Sequence, residues 1–540
     1  MTARRILVPL YLLAVFFTGL GYLAILPAFE GLDETGYYSS IRQIADTGAI
    51  PVYGASFIDE AIRAHQGPMP DIPGYHYRTY KMFFSQPVLV ENYFSSYRQS
   101  SFPAFRPGDE PNWEAQHPPL YYMLLAAVDK ATEHLPFLTQ FFILRLVSFL
   151  IALAGVAFGL LACWPSENPA RSDPAIMGFM LYPIVLPMFF FEFARIGNDC
   201  LCLFLIGMTA FLLSRWLKDE NNKGENNKIL SVSIGVVLGL GLLTKAFFIP
   251  IIAALGAFLL LRALFDAPSR TAASAHWKNL ALLFLPAVLI GGGWYAYKLV
   301  AFGDLIGSND AIILASKGGL VAGLKTNFSV SAVIHGIAAL SKSYIWTGTQ
   351  SLTKLPAILF IPLTVLVVVG FGAFLLRLKR LPLGDIAWLP VWLFVFFGGG
   401  LFYHILMDIA ATGNASTPGW YLHILMPWIA PVLGIGIGSL LEIRHVRPFV
   451  VGLLLYAVVF QIAALWAQVA LFTSCAVKTD DSFYAFTGHY LCLDQFPTVV
   501  ERLSVLGWPV LAVVGFGGGF ICILLLIGRW PVASARPVTL

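Results

Sequence analysis

The chain alternates long apolar runs with short polar connections. A helix needs about 20 apolar residues to cross a bilayer, so the pattern predicts an all-α architecture of about twelve transmembrane helices. The fifth and sixth runs could be two short helices that meet at Lys245 or one long helix. The predicted spans cover residues 6–26, 137–163, 174–192, 198–217, 229–244, 246–263, 279–300, 355–376, 386–407, 420–441, 448–472 and 504–528.

The composition agrees with this interpretation. Of the 540 residues, 58% are hydrophobic and 12% are charged, and the mean hydropathy is +0.75. These values exclude a set of soluble domains and predict a polytopic membrane protein. The net charge of +4 is too small to indicate nucleic-acid binding, and the sequence has no phosphate loop of the GxxxxGK[ST] type. The first apolar run lacks an A-x-A-like cleavage site, so we interpret it as a retained span.

Charge assigns the connections to the two sides of the membrane. Short basic connections such as LRLKRLPLGD alternate with longer ones, and the positive-inside rule places the basic set in the cytoplasm. Fusing the fifth and sixth spans would move that basic turn outside, so an even number of spans with both termini cytoplasmic is favoured. We therefore predict a multi-pass plasma (bacterial inner) membrane protein with its active site on the periplasmic or extracellular side. The exterior connections are then 27–136, 301–354, 408–419 and 474–503.

The first exterior loop is the longest connection, at about 110 residues. It is dense in Tyr, Phe, Pro and charge, which favours a folded cap with interfacial helices over a disordered linker. The predicted parts are the first span (1–26), this loop with its active-site motif (27–136), spans two to seven (137–300), a second exterior loop (301–354), and spans eight to twelve with the loop at 474–503 (355–540).

Two of the six cysteines differ from the others in their surroundings. Cys475 and Cys492 lie in one polar loop, and the remaining four fall in or beside apolar runs, where a small buried residue is the simplest interpretation. An oxidising exterior would allow the pair to form a disulfide. We predict that bond.

Ionisable residues recur at the exterior ends of the predicted spans. Asp33 and Glu34 follow the first span in LDETGYY, and His117 lies in QHPPLYYMLL, where the long loop returns to the membrane. Acids commonly decorate span ends, and a proline pair can simply start a helix. Each feature alone therefore has a structural explanation.

Two further clusters are predicted on the same face. The turn ARIGND holds Arg195, Asn198 and Asp199, and GLLTKAFF holds Lys245. A lysine between apolar runs costs roughly 2.5–3.5 kcal/mol at mid-bilayer, so it snorkels to the interface or meets an anion. Convergence of all four clusters favours a pocket for a lipid-linked phosphate, where cations stabilise the leaving group and an Asp accepts a proton from an attacking hydroxyl.

These motifs resemble those of the GT-C superfamily of integral-membrane glycosyltransferases, which includes protein O-mannosyltransferases and lipid A aminoarabinose transferases. LDETGYY is similar to the acidic motif that follows the first span in that superfamily, and QHPPLYYMLL is similar to its (H/K)PPLYY-like motif. ARIGNDCL, GLLTKAFF and SKSYIWTGTQSLTKLP look like a less characterised bacterial branch. Ordered motifs cover about the first 250 residues, and topology carries the resemblance through the rest.

The resemblance implies a role for each candidate residue. Asp33 is expected to be the general base, with Glu34 beside it shaping contacts to the acceptor or the donor. Contacts to the substrates are expected from His117, Tyr121, Arg195, Asn198, Asp199, Lys245 and His423.

One element departs from the superfamily pattern. A G-R-Y-L-x-P-like element is common near the tenth span, whereas PGWYLHILMPW has Trp420 at the arginine position. His423 or His404 could replace that arginine, or the pocket could accept a different donor. Asp408 is an exterior acid outside any motif. Some members of the superfamily use a divalent ion and others do not. Because no H-x-x-x-H or further carboxylate cluster is visible, the sequence supports no metal and no other cofactor.

The sequence therefore predicts transfer of a sugar from a polyprenyl-phosphate donor to an exterior glycan, lipid or protein acceptor. The first alternative is a transporter or flippase of a lipid-linked saccharide, although the matching halves typical of transporters are not visible. The second is a non-catalytic assembly subunit, which would tolerate loss of every motif acid.

Overall fold

A computed structural model describes residues 2–68, 80–164, 173–220, 226–265, 270–379, 381, 385–473, 475–478, 484–486 and 492–529. Within these ranges the protein is almost entirely helical. The helices of the first half are α1 (Thr2–Ile25), α2 (Glu34–Thr47), α3 (Glu60–Arg63), α4 (Tyr80–Phe84), α5 (Pro87–Gln99), α6 (Leu120–Thr132), α7 (Phe137–Cys163), α8 (Pro174–Val185), α9 (Met188–Phe193), α10 (Asp199–Glu220), α11 (Asn226–Leu242) and α12 (Phe248–Phe265).

The second half continues the same architecture. Its helices are α13 (Arg270–Phe302), α14 (Asn309–Ser316), α15 (Leu320–Asn327), α16 (Val330–Ile345), α17 (Ile361–Leu378), α18 (Leu389–Thr412), α19 (Met426–Leu440), α20 (Ile443–Val469), α21 (Phe496–Leu506) and α22 (Pro509–Arg529). Short 3₁₀ helices cover Trp113–Gln116, Ala357–Leu359, Ile386–Trp388, Trp420–Leu425, Ala470–Phe472 and Leu493–Gln495.

Two small antiparallel sheets lie in the loops. In the first, β1 (Phe57–Asp59) pairs with β2 (Pro107–Pro111). In the second, β3 (Ala476–Lys478) pairs with β4 (Tyr484–Phe486), so that Val477 lies opposite Ala485. Cys475 and Cys492 are joined by a disulfide beside this second sheet.

Nine helices in the described ranges are long and apolar enough to cross a membrane, and they coincide with nine of the twelve predicted spans. The other three predicted spans coincide with shorter apolar helices, so the exact count of twelve is not established. The shorter ones are Pro174–Val185, Asn227–Leu242 and Phe248–Arg262. The protein is an all-α polytopic membrane protein, as the sequence predicted.

Prolines explain why the third predicted span is interrupted. Pro183 lies inside α8, where it cannot donate a backbone hydrogen bond, and α8 ends two residues later. Pro187 then precedes α9, and the residue before a proline is disfavoured in the helical conformation. The result is two helices with a break at Leu186.

The chain reverses at Lys245, so the fifth and sixth spans are two helices. α11 ends at Leu242 and α12 begins at Phe248. In this turn the carbonyl of Leu243 accepts a hydrogen bond of 3.0 Å from the backbone N–H of Leu120. The turn that carries Lys245 is thereby joined to the HPPL segment of the first loop.

The first loop forms a folded unit on one end of the helices. Arg42, which is 3% exposed, lies 3.1 Å from Asp46 and 3.4 Å from Asp129, and Asp59 is also within ion-pair distance. Burial raises the pKa of Asp129 to about 6 despite this arginine. The arginine therefore connects α2, the β1 strand and α6.

Glycines allow several helices to pack very closely. α1 lies along α22, where a side chain at Gly515 would collide with the backbone of Gly21. The backbone N–H of Trp508 also donates to the carbonyl of Ala24 at 2.8 Å. α7 and α10 meet in the same way at Gly155 and Gly207. Close backbone approach through small residues is typical of helix packing in membranes.

Candidate active site

Asp33 lies in the turn that leads from α1 into α2. Its backbone is left-handed (φ 58°, ψ 14°), a conformation that L-residues other than Gly, Asn and Asp rarely adopt. The side chain is partly exposed and does not cap α2, and within the described part of the chain no group donates a hydrogen bond to its carboxylate. Asp33 thus combines an unusual backbone conformation with a carboxylate that has no hydrogen-bond donor among the described residues. Such outliers are concentrated at functional sites.

A second segment holds Asp33 in this conformation. The backbone N–H of Asp33 donates to Gln350 Oε1 at 3.0 Å. Gln350 is itself positioned by Glu30, whose carbonyl accepts the Gln350 N–H at 3.0 Å. The Glu30 carboxyl accepts hydrogen bonds from Tyr80 Oη at 2.6 Å and Thr349 Oγ1 at 2.5 Å.

The surroundings of Asp33 tune its proton affinity. Burial raises the pKa of Asp33 to about 7, with a further upward contribution from the negative charge of Glu114, while Arg195 and Lys245 act in the opposite direction. A general base works best when its pKa is close to the working pH.

Unlike the carboxylate of Asp33, the carboxylate of Glu34 is fully occupied by hydrogen bonds. Its carboxylate forms a two-point ion pair with Arg145 of α7, at 2.7 Å from Nε and 2.5 Å from Nη2. The amides of Gly31 (2.9 Å) and Ile196 (3.0 Å) donate to the same two oxygens. Because Glu34 is only 1% exposed and its oxygens are engaged, its contacts are structural.

Arg195, Asp199 and Lys245 lie together in a buried network of ion pairs. Lys245 Nζ lies 2.9 Å from both oxygens of Asp199. Arg195 Nη2 lies 2.8 Å from Glu192 and 3.3 Å from Asp199, and its Nη1 donates to the Leu32 carbonyl at 2.6 Å. The guanidinium therefore also holds the residue that precedes Asp33.

Two groups in this network keep unused capacity for a ligand. Lys245 Nζ lies 4.6 Å from the ring centroids of both Phe247 and Tyr421, and within the described ranges Asp199 provides its hydrogen-bond acceptors. Asn198 Oδ1 accepts from Tyr37 Oη at 3.2 Å. The buried Nδ2 of Asn198 has no partner among the described residues, so it can donate to a bound oxygen.

The segment that contains His117 faces the same turn. His117 Nε2 lies 3.3 Å from Glu114 Oε2, and its ring stacks on Tyr37 with centroids 6.5 Å apart. Tyr121 is fully buried; its hydroxyl lies 2.7 Å from Ser148 Oγ and accepts from the Gly197 N–H at 2.8 Å. Tyr121 therefore positions the Arg195 turn.

His423 lies in a different environment. Its Nδ1 is 2.9 Å from Tyr182 Oη, its Nε2 is 2.9 Å from the Tyr344 carbonyl, and its ring stacks on Tyr344. Both ring nitrogens are engaged, and the side chain is fully buried. We leave His423 out of the proposed site, because these contacts are those of a structural histidine.

Sequence reasoning missed several groups that complete the site. Glu114 could have been found, because it lies in the same motif as His117. Arg145 and Glu192 were hidden inside apolar runs, and Gln350 and Tyr421 lie far along the chain from Asp33.

No protein-family model matches the sequence, and no curated protein matches it closely enough to count as a relative. Among solved structures, the chain is similar to ArnT from Cupriavidus metallidurans bound to undecaprenyl phosphate, with 14% identity, a TM-score of 0.46 and coverage of 99% of this chain and 78% of that one. It is also similar to the archaeal oligosaccharyltransferase AglB from Archaeoglobus fulgidus in complex with an inhibitory peptide and a dolichol-phosphate, with 13% identity and a TM-score of 0.36. That alignment covers 98% of this chain and 56% of AglB.

The identities lie below 25% and the TM-scores below 0.5, so no residue role and no substrate of either protein is carried over to this chain. The proposed function rests on the site itself.

Proposed function

We propose that the protein is a membrane glycosyltransferase that transfers a sugar from a polyprenyl-phosphate donor to an acceptor hydroxyl. The observation that carries this proposal is the unengaged carboxylate of Asp33, whose pKa is raised to about 7, close to the buried ion-pair network of Arg195 and Lys245 with Glu192 and Asp199. Both carboxylate oxygens of the neighbouring Glu34 already accept hydrogen bonds, so the Asp33 carboxylate is the one that can act as the general base.

The proposed reaction is a single displacement. The Asp33 carboxylate accepts the proton of the acceptor hydroxyl as that oxygen bonds to the anomeric carbon. The bond from the anomeric carbon to the phosphate oxygen breaks, and the polyprenyl phosphate leaves with the electron pair. Lys245 and the free Nδ2 donor of Asn198 stabilise the developing phosphate charge. Arg195 positions the turn through its bond to Leu32.

An apolar cavity supports a lipid-linked donor. It has a volume of about 490 Å³ and is lined by α16, α17, α18 and α19, with Ile345, Val368, Phe371 and Leu422 among its walls. Leu422 directly follows Tyr421, whose ring packs against Lys245 Nζ. A lipid tail in this cavity would therefore approach the cation that binds its phosphate.

Transfer assays with Asp33→Asn test the proposal. Purified protein in proteoliposomes is given radiolabelled polyprenyl-phosphate mannose, glucose or aminoarabinose together with envelope extract as acceptor. Asn keeps the size and the tolerance for the left-handed backbone but cannot accept the proton, so transfer should fall by about 10²–10⁴ while donor binding is retained. Asp109→Asn, an exposed acid of the same loop, is the matched control. Full activity of Asp33→Asn would exclude this residue as the base.

Interrupted helices are the feature of this structure that favours the alternative function, a transporter of a lipid-linked saccharide. α8 is followed at a break by α9, and α15 and α16 meet at an angle of 106°. Broken helices near a binding site are frequent in transporters. A fluorescent polyprenyl-phosphate sugar that crosses the bilayer of proteoliposomes, without release of its sugar in the presence of acceptor, would favour that alternative.

We also propose that Asp33 faces the exterior side of the membrane and that both described ends of the helical chain lie on the cytoplasmic side. This proposal rests on the basic connections and the positive-inside rule. Protease protection of tags inserted at residue 310 and in the 218–228 connection of sealed vesicles tests it. A tag in the 218–228 connection that is cleaved from outside would overturn the assignment.

A further inference from the structure

Three metal-binding side chains converge away from the proposed active site. Asp310 lies on α14, and His404 and Asp408 lie one turn apart on α18. One ligand atom from each side chain lies within 4.8 Å of the other two. His404 Nε2 is 3.9 Å from Asp310 Oδ2, and His404 Nδ1 is 3.5 Å from Asp408 Oδ1. We propose that these three residues bind a divalent transition-metal ion, Zn²⁺, which ties α14 to α18.

The spacing fits one ion. Zn²⁺ binds nitrogen and carboxylate oxygen at about 2.0–2.2 Å, so its ligand atoms lie roughly 3–4 Å from one another. The three ligand atoms, which lie within 4.8 Å of one another, are therefore slightly farther apart than they would be around one ion. Asp310 and His404 are not fully buried, so their side chains have room to rotate toward a common ion.

A chain of hydrogen bonds already orients two of the ligands. Asp408 Oδ2 accepts from the Ser416 N–H and from Thr417 Oγ1, both at 3.1 Å. Thr417 Oγ1 lies 3.0 Å from His404 Nδ1, so it can accept the Nδ1–H while it donates to Asp408. With Nδ1–H directed to Thr417, His404 would bind the cation through Nε2, which lies 3.9 Å from Asp310, and Asp408 through Oδ1, which lies 3.5 Å from Nδ1. Partners of this kind, which fix the histidine tautomer, accompany most metal-bound histidines.

The left-handed glycine after α18 makes this arrangement possible. Gly413 has φ 84° and ends the helix by donating to the Ile409 carbonyl at 2.8 Å. The chain then folds back, which brings Ser416 and Thr417 over the last turn of α18. A residue with a side chain is disfavoured at this φ.

Charge also favours a cation here. Two carboxylates converge on one imidazole, and among the described residues no lysine or arginine forms an ion pair with either of them. The nearby Lys317 donates instead to the Ala411 carbonyl at 2.6 Å. A divalent cation would supply the missing positive charge.

The ligand set identifies the class of metal. Imidazole nitrogen and carboxylate oxygen are both ligands of Zn²⁺, and Zn²⁺ sites with three protein ligands keep a fourth position for water, whereas Ca²⁺ prefers six to eight oxygens. His404 is 46% exposed, so water can complete the coordination. This inference replaces the sequence-based expectation of no metal, which could not bring Asp310 next to residues 94 and 98 positions later.

Metal binding to the full chain tests the proposal. The protein is purified in detergent without a polyhistidine tag, stripped with EDTA, and titrated with Zn²⁺ and, as a spectroscopic probe, Co²⁺. We expect one ion per chain, a visible Co²⁺ spectrum of low-coordinate geometry, and an unfolding temperature that rises with Zn²⁺. Asp310→Asn and His404→Ala should abolish stoichiometric binding.

Thr417→Val keeps all three ligands and the shape of the side chain, so it guards against a variant that fails to fold. We expect it to weaken Zn²⁺ binding by about 10–100-fold. His445→Ala, which removes an exposed histidine beside Glu442, is the matched control and should bind normally. Absence of Zn²⁺ binding to the wild type, or binding that survives His404→Ala and Asp310→Asn, would overturn the proposal.

Discussion

Asp33 and Glu34 are neighbours in the chain, but their carboxylates have different surroundings in the turn between α1 and α2. The Glu34 carboxylate accepts hydrogen bonds from Arg145 and from the amides of Gly31 and Ile196. The Asp33 carboxylate accepts none within the described part of the chain, and instead its backbone is held by Gln350. The hydrogen bonds of Glu34 hold the turn in place, and the carboxylate of Asp33 in the same turn stays available to a substrate.

The comparison shows how two adjacent acids after a transmembrane helix can have different roles, one structural and one available for chemistry. Burial of a charge is costly unless it is paired and hydrogen-bonded, which describes Glu34. A base must keep its lone pairs for a substrate, and this is the role proposed for Asp33. The following predictions test this division, from the largest expected effect to the smallest.

Removal of the Glu34 carboxylate should damage folding. Glu34→Ala leaves Arg145 buried without its ion pair, and breaking a buried pair costs about 3–5 kcal/mol. Thermal unfolding in detergent should show this loss at every pH between 5 and 8. A Glu34→Gln/Arg145→Gln double variant should lose less than the sum of the two single changes. Normal stability of Glu34→Ala would contradict the structural role.

The pH dependence of transfer should report Asp33. A base with a pKa of about 7 is ionised above that pH, so activity should rise about tenfold per unit below pH 7 and level off above it. The measurement is the initial rate of sugar transfer between pH 5 and 9 at saturating donor. The residual activity of Asp33→Asn should not depend on pH in this way. If the rise below pH 7 persists in the variant, another group must be responsible for it.

Asp33→Asn should stabilise the protein at high pH even as it removes activity. The pKa is about 7 in the folded protein and about 3.9 in an unfolded chain, so the folded state holds the proton more tightly. This stabilisation is complete below about pH 4 and is lost as the pH rises through 7. The variant, which cannot lose that proton, should exceed the wild type by about 4 kcal/mol at pH 8 and match it near pH 4. Equal stability at both pH values would mean that the pKa of Asp33 is not raised in the folded protein.

The smallest effect is expected at Gln350. Gln350→Ala removes the acceptor for the Asp33 N–H, and a hydrogen bond of this kind is worth about 1 kcal/mol. Transfer should fall about fivefold without a change in the pH at which the rate levels off. A shifted pH profile would show that Gln350 acts on the proton affinity of Asp33 rather than on its position.

Part of the site could be predicted because charges in a membrane protein are rare and must be accounted for. Lys245 had to meet an anion or reach the interface, and it meets Asp199. The turn at Lys245 also followed from the basic connections downstream. These deductions needed only the topology that the charges indicate.

The rest could not be predicted because it depends on which helix faces which. Arg145 lies within the apolar run of α7, and its pairing with Glu34 joins residues 111 positions apart. Glu114 lies in the same motif as His117, but the motif does not reveal that the charge of Glu114 raises the pKa of Asp33. Pro183 and Pro187 in the sequence indicated the break between α8 and α9, but the length of the apolar run favoured one continuous span over residues 174–192.

The close packing of α1 against α22 has a consequence for biosynthesis. The two helices are separated by about 480 residues, which a ribosome adds in roughly 25–100 s at 5–20 residues per second. During that time the glycine-containing face of α1 around Gly21 must be covered by lipid or by another membrane protein. The bond between the Trp508 N–H and the Ala24 carbonyl, close to the turn that carries Asp33, can form only after that time. The chain therefore reaches the arrangement described here only after α22 has been inserted.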